Sequence, residues 1–172
     1  MVKQEIQDSI NAQINAEIYS AYLYMSMSTW FENEGLPGFA HWMRLQAIEE
    51  MYHAARFSEH LVDRGGRVLL TAIEGPPQEW NSTLEAVEAT LAHEEYVTDR
   101  INKMMDLAIK LSDHAAVQML GWFVAEQVEE EASAGAIIDQ LKLACEAKGA
   151  LLMLDKELGS RPMPTPPPDV NL

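Results

Sequence analysis

Glycine and proline fall in a few clusters along this chain, and the blocks between them are too long for anything but helices. The breaks lie at Gly35-Leu36-Pro37-Gly38, at Gly65-Gly66, at Gly75-Pro76-Pro77, at Lys148-Gly149 and from Gly159 onward. The segments between them run to about 25 to 33 residues and are rich in Ala, Leu, Glu, Met and Gln, all good helix formers. Strands of that length are foreign to globular domains, and no period-two alternation competes. The spacing predicts four long helices, near 4–33, 38–64, 83–111 and 114–147. Ser82-x-x-Glu85 is a capping box at the third start, and Ser112-Asp113 offers N-caps for the fourth. A short fifth helix is expected from Ala150 to Leu158, so the helical domain is read as 1–158 and residues 159–172 as a proline-rich tail.

Link lengths then select the topology. A helix of about 27 residues is roughly 40 Å long. The first and second helices, and the third and fourth, are joined by short links, so each pair is an antiparallel hairpin. Gly65 to Ser82 can instead span about 60 Å when extended, the full length of a bundle. The expected fold is therefore all-α, an antiparallel four-helix bundle with one long crossover and a short fifth C-terminal helix.

Charge excludes several partners. Twelve Lys and Arg against 27 Asp and Glu give a net charge of −15, with no basic segment to act as a local exception. Such a chain repels phosphate backbones and anionic lipid, which argues against nucleic acid and membrane as partners. The longest uncharged stretch, Ile18 to Phe31, is shorter than the roughly 18 residues of a spanning helix. One thiol, Cys145, supports neither an intrachain disulfide nor a cysteine-based metal site, and the start, Met1 to Glu5, has no apolar signal segment. A reducing cytoplasm is the expected location.

The residues that break the core pattern carry the chemistry. Positions i±3, i±4 and i±7 share a helical face. On that rule Glu17 falls among Ile10, Ile14, Ala21 and Tyr24, and Glu50 with His53 among Met43, Ala47, Ala54, Phe57 and Leu61. Glu94 lies between Val87, Leu91, Val97 and Ile101, and Gln127 with Glu130 along Leu120, Phe123, Val124, Ala134 and Ile137. Any one of these could be a solvated edge residue or a satisfied buried polar group. One per helix, all near mid-length, is a different matter. Carboxylates buried together without a cation repel one another and protonate, and multivalent metal is the simplest remedy. Glu17, Glu50, Glu94 and Glu130 supply four negative charges, enough for two divalent ions. Glu50-x-x-His53 offers mixed oxygen and nitrogen ligation, which suits iron, manganese or zinc better than calcium or magnesium. Glu50 is the expected bridge, because its helix also supplies the only histidine of the group.

The chain resembles the non-haem ferritins of bacteria and archaea over roughly residues 3 to 158. The resemblance is carried by Asn15-Ala16-Glu17 through Tyr24, Glu49-Glu50-Met51-Tyr52-His53, His93-Glu94, Leu120 through Glu131, and Asp155-Lys156-Glu157-Leu158. That family shares the one-crossover topology, so topology and resemblance are not independent. The resemblance implies a ferroxidase centre, with one iron site from Glu17, Glu50 and His53 and a second from Glu50, Glu94 and Glu130, supported by Gln127. It also implies a third iron site at Glu49, Glu126 and Glu129, sharing Glu130. Tyr24 matches a tyrosine beside the centre, and Trp122 could serve as a redox partner; core packing is the alternative for both. The fourth helix carries Gln127-x-x-Glu130 where more symmetric di-iron proteins have a second Glu-x-x-His, which favours oxidation followed by release of iron toward a store. Met51 stands where bacterioferritins ligate haem, but haem is not expected here. The resemblance further implies a homo-oligomeric cage of 24 chains, its fifth helix near the fourfold axes or, alternatively, a lid on its own bundle. The functional expectation is an iron-storage protein that oxidises Fe(II) with dioxygen or peroxide and keeps the Fe(III) as mineral. A di-iron oxidase or peroxidase without storage, and a purely structural bundle, are the other classes. His41, His60, His93 and His114 have no evident partner set and are expected at the surface or in packing.

Overall fold

The computed structural model describes residues 1–144, 148–167 and 170. Cys145, the expected last turn of the fourth helix and tail residues 168, 169, 171 and 172 lie outside the described residues. Five helices follow in order: α1 (Gln4–Asn33), α2 (Pro37–Asp63), α3 (Thr83–Lys110), α4 (His114–Ala144) and α5 (Lys148–Leu158). The fifth helix thus begins two residues before the expected Ala150.

Three of the helix ends close in one way. The N–H of Leu36 reaches the carbonyl of Phe31, that of Gly66 the carbonyl of Leu61, and that of Asp113 the carbonyl of Ala108. This closure needs a left-handed residue just past the helix, supplied by Gly35 (φ 75°), Gly65 (φ 72°) and Ser112 (φ 54°). Helix starts are capped from the sequence and from afar. Ser82 accepts from the N–H of Glu85 at 3.1 Å, while the Glu85 carboxylate reaches back to the N–H of Asn81 at 2.6 Å. Asp113 caps α4 through the N–H of Ala116 at 3.1 Å. The start of α2 has no cap of its own, and Asp155 of α5 accepts there from the N–H groups of Gly38 and Phe39 at 2.8 and 3.0 Å.

Packing follows the expected topology. α1 lies along α2, α3 along α4, and α1 also meets α3. The segment after α2 runs beside α1 for nearly its whole length. It is fastened by Gln7 to the N–H of Arg67, Asn11 to Leu69, Asn15 to Thr71, Ser26 to the carbonyl of Pro77, and an edge contact of Trp30 with Trp80. It is the long crossover, and it leaves α2 and α3 parallel. Two apolar clusters fill the bundle. One holds Phe31 stacked on Phe39 at 5.1 Å, the other Phe57 stacked on Phe123 at 4.0 Å. The fifth helix buries one face, with Leu154 in the first cluster, but Leu152 and Met153 stay 61% and 76% exposed in the single chain. Among the described residues no helix is long and apolar enough to cross a membrane.

Candidate metal centre

Between the two apolar clusters lies a layer of buried polar side chains, one or more from each long helix: Gln13, Glu17 and Ser20 of α1, Gln46, Glu50 and His53 of α2, Glu94 of α3 and Gln127 of α4. One ligand atom each from Glu17, Glu50 and His53 lie within 4.8 Å of one another, close enough to hold a single metal ion. His53 Nδ1 stands 3.4 Å from Glu50 Oε2, and the imidazole is fixed edge-on between Trp122 and Phe123, at 5.5 and 5.6 Å.

The electrostatics of this layer are those of a site short of positive charge. Burial pushes the carboxyls of Glu17 and Glu50 well above the ordinary range. Glu50 adds to the effect on Glu17, and Glu94 and Glu130 add to that on Glu50. Glu94 is raised to about 7, by burial first and then by Glu130. Glu17 Oε2 and Glu50 Oε2 are buried without a hydrogen-bond partner. An orphaned buried carboxylate oxygen is costly unless a proton or cation meets it. Two of them beside an imidazole form a donor set that fits a hard or borderline divalent cation.

The other oxygens are held. Glu17 Oε1 accepts from Gln13 Nε2 at 2.8 Å, and Gln13 is in turn fixed by Arg100 Nε at 2.8 Å. Tyr24, fully buried, donates its hydroxyl to Glu94 Oε1. Gln127 Nε2 donates to Glu94 Oε2 and to the Glu94 carbonyl, both at 3.2 Å. Glu130 is half-buried and accepts from Gln46 Nε2 at 2.7 Å.

The remaining expected positions lie toward the outside. Glu49 is half-buried and ion-paired with Arg161 Nη2 at 2.9 Å. Glu126 is half-buried and raised above its ordinary value by burial, with Glu129 and Glu130 adding to the effect against His53 and Arg56. Glu129 and Met51 are exposed. Trp122 packs beneath the guanidinium of Arg56, 4.1 Å from the ring centre.

Sequence reasoning missed three supports. Gln13 and Gln46 each stand one turn before a central carboxylate, so same-face spacing could have found them. Arg161 arrives from the coil after α5 and left no such signal. Three of the other histidines have partners that the sequence did not show, among them His60, whose Nε2 lies 3.3 Å from Arg64 Nη1. His93 is half-buried, with Nε2 2.8 Å from Ser20 Oγ, and burial lowers it to about 4; His41 Nε2 lies 2.9 Å from the Arg161 carbonyl.

A profile described as a ferritin-like domain matches residues 7–144. A bacterial non-heme ferritin of Bacteroides fragilis (strain 638R) is 41% identical over 161 residues, 94% of this chain and all of that protein. The chain belongs to the ferritin family. A second bacterial non-heme ferritin, of Staphylococcus saprophyticus, is 39% identical over 94% of this chain and 96% of its own length. Among solved ferritins, an open-pore ferritin from the hyperthermophilic archaeon Archaeoglobus fulgidus superposes with a TM-score of 0.93 at 49% identity, covering 94% of this chain and all of that one. The helical bundle with its crossover and fifth helix is thus a ferritin fold, and the polar layer sits inside a ferritin subunit.

Proposed function

We propose that this ferritin oxidises Fe(II) at a dinuclear centre within each subunit and stores the product as ferric mineral inside a closed cage of 24 chains. The observation that carries the reading is the buried group of Glu17, Glu50 and His53, in which Glu17 Oε2 and Glu50 Oε2 accept no hydrogen bond. Iron is the substrate. Glu17, Glu50 and His53 take the first Fe(II); Glu50, Glu94 and Glu130 take the second, with Gln127 and Tyr24 holding Glu94 in place. Glu49, Glu126 and Glu129, sharing Glu130, form a third position nearer the surface. Each of two Fe(II) ions gives one electron, so dioxygen receives two electrons and two protons and leaves as hydrogen peroxide; with peroxide as oxidant the same two electrons yield water. The second position lacks a histidine, and an all-oxygen site suits a hard ferric product in transit rather than a permanent cofactor.

The exposed apolar residues Leu143, Val128, Leu152 and Met153 support assembly, since a single chain leaves them in water. The composition supports a cytoplasmic protein. Rapid mixing of the iron-free protein with Fe(II) and dioxygen tests the assignment. Glu50→Ala removes the bridge and abolishes the fast phase; oxidation at the parent rate would refute the site. Aerobic loading in excess separates storage from the alternative, an oxidase or peroxidase that detoxifies without storing mineral: a storing cage keeps the iron soluble, and a non-storing one precipitates it.

A further inference from the structure

Three residues past α5 the chain returns to the bundle, and the Arg161 side chain enters the polar layer. Its backbone is fixed by the N–H of Arg161 to the carbonyl of Leu158 at 3.2 Å and by His41 against its own carbonyl. The guanidinium then forks. Nη2 donates to Glu49 Oε2 at 2.9 Å, and Nη1 donates to Gln46 Oε1. An amide whose oxygen is engaged turns its NH2 the other way, and Gln46 Nε2 donates to Glu130 Oε2 at 2.7 Å. Gln46 is buried, so this orientation is set by Arg161 rather than by solvent. One side chain from the tail thereby holds two of the four carboxylates that the outer iron position would use, Glu49 directly and Glu130 through Gln46.

We infer that Arg161 is a tethered cation occupying the outer, third position of the centre, which an incoming divalent ion must displace to bind Glu49 and Glu130 together. This rests on the proposed metal centre. The guanidinium side chain is one-third exposed, with 33% of its surface in water, so it can swing out without unfolding the bundle. Arg161 is a positioning residue. It neutralises Glu49 and orients Glu130 while iron is absent, and it weakens the outer position relative to the two inner ones. Iron reaching the outer position would release the segment after α5 from α2, so occupancy there is coupled to the start of the tail.

Zn(II), which is redox-inert, provides the test, by calorimetric titration of the assembled, iron-free protein at pH 7. In Arg161→Gln the weakest class of the centre tightens by about tenfold, the size of one charge-assisted hydrogen bond that no longer has to be broken. Arg161→Lys keeps the charge without the fork and falls between the two. The gain disappears when Glu49→Ala is added. Arg44→Gln, which removes an equal charge paired elsewhere with Glu32, leaves all classes unchanged. An unchanged or weaker outer class in Arg161→Gln, or an equal gain in Arg44→Gln, overturns the inference while leaving two inner sites intact. A parent that binds no Zn(II) overturns the metal-centre reading itself, and the inference with it.

Discussion

Loading the centre with metal has to displace protons, and their number depends on pH in a calculable way. Glu94 is raised to about 7, so at pH 6 roughly nine in ten copies are protonated and at pH 8 about one in ten. A cation binds the carboxylate form, so each binding event at Glu94 releases about 0.8 proton more at pH 6 than at pH 8. Burial shifts Glu17 and Glu50 in the same direction, so their protons add to the release. The sign follows from the direction of the shifts: affinity climbs with pH up to the raised value of Glu94 and flattens above it as far as that group is concerned. Titration of the iron-free protein with Zn(II) in buffers of different ionisation enthalpy counts the protons directly. Glu94→Gln isolates the contribution, because the amide has nothing to release, and the fall between pH 6 and pH 8 shrinks by about 0.8 proton. Equal release at the two pH values in the parent, or a fall that Glu94→Gln leaves unchanged, would show that Glu94 is not a protonated buried carboxyl facing the metal.

The same shift fixes the stability of the metal-free protein. A carboxyl raised from 4.5 to about 7 on folding contributes almost no penalty well below pH 4.5, and costs progressively more as pH rises through 7, about 3 kcal/mol in all; urea unfolding at pH 5 and pH 7.5 should show most of that loss, and Glu94→Gln should reduce it. Tyr24→Phe removes a hydrogen bond that holds Glu94 down, so the pH midpoint of proton release should move upward. At the junction of α2 and α5, a Cβ on Gly38 would lie 1.6 Å from the carbonyl oxygen of Asp155, so Gly38→Ala should cost at least about 1–3 kcal/mol by thermal unfolding. Asp155→Ala, which only removes the cap of α2, should cost about 0.5–2 kcal/mol.

What could be read in advance divides along a physical line. Helix number and bounds were legible because Gly35, Gly65 and Gly66 stop helices by backbone chemistry alone, and Pro37, Ser82 and Asp113 start them the same way. The buried set of Glu17, Glu50, His53, Glu94 and Gln127 was legible because helical period places each on an apolar face, and a bundle brings apolar faces together. Contacts made across the tertiary fold were not. The cap that Asp155 lends to α2 and the reach of Arg161 to Gln46 depend on where a short coil returns, which no local period encodes. The fifth helix is a further case: Leu154 packs into this chain, while Leu152 and Met153 do not. Leu152 and Met153 are written for a neighbour that one sequence does not display.

A layer of carboxylates in mid-bundle would threaten an ordinary core, and the arrangement of the two apolar clusters shows why it does not threaten this one. Phe31 and Phe39 anchor one half of the bundle and Phe57 and Phe123 the other, so each half has its own packed aromatic centre, and the polar layer lies between them rather than interrupting either. The unfavourable term at Glu94, about 3 kcal/mol at neutral pH, is local and of the size that a few buried apolar side chains offset. It follows that exchanging a buried carboxyl for its amide should leave the fold standing, or strengthen it, because a group that burial keeps from charging freely is traded for a neutral one of the same shape. Glu17→Gln and Glu94→Gln should therefore unfold at or above the temperature of the iron-free parent at neutral pH while binding metal less well. A large loss of stability in either would mean that the layer holds the bundle together, and that the aromatic clusters on either side do not suffice.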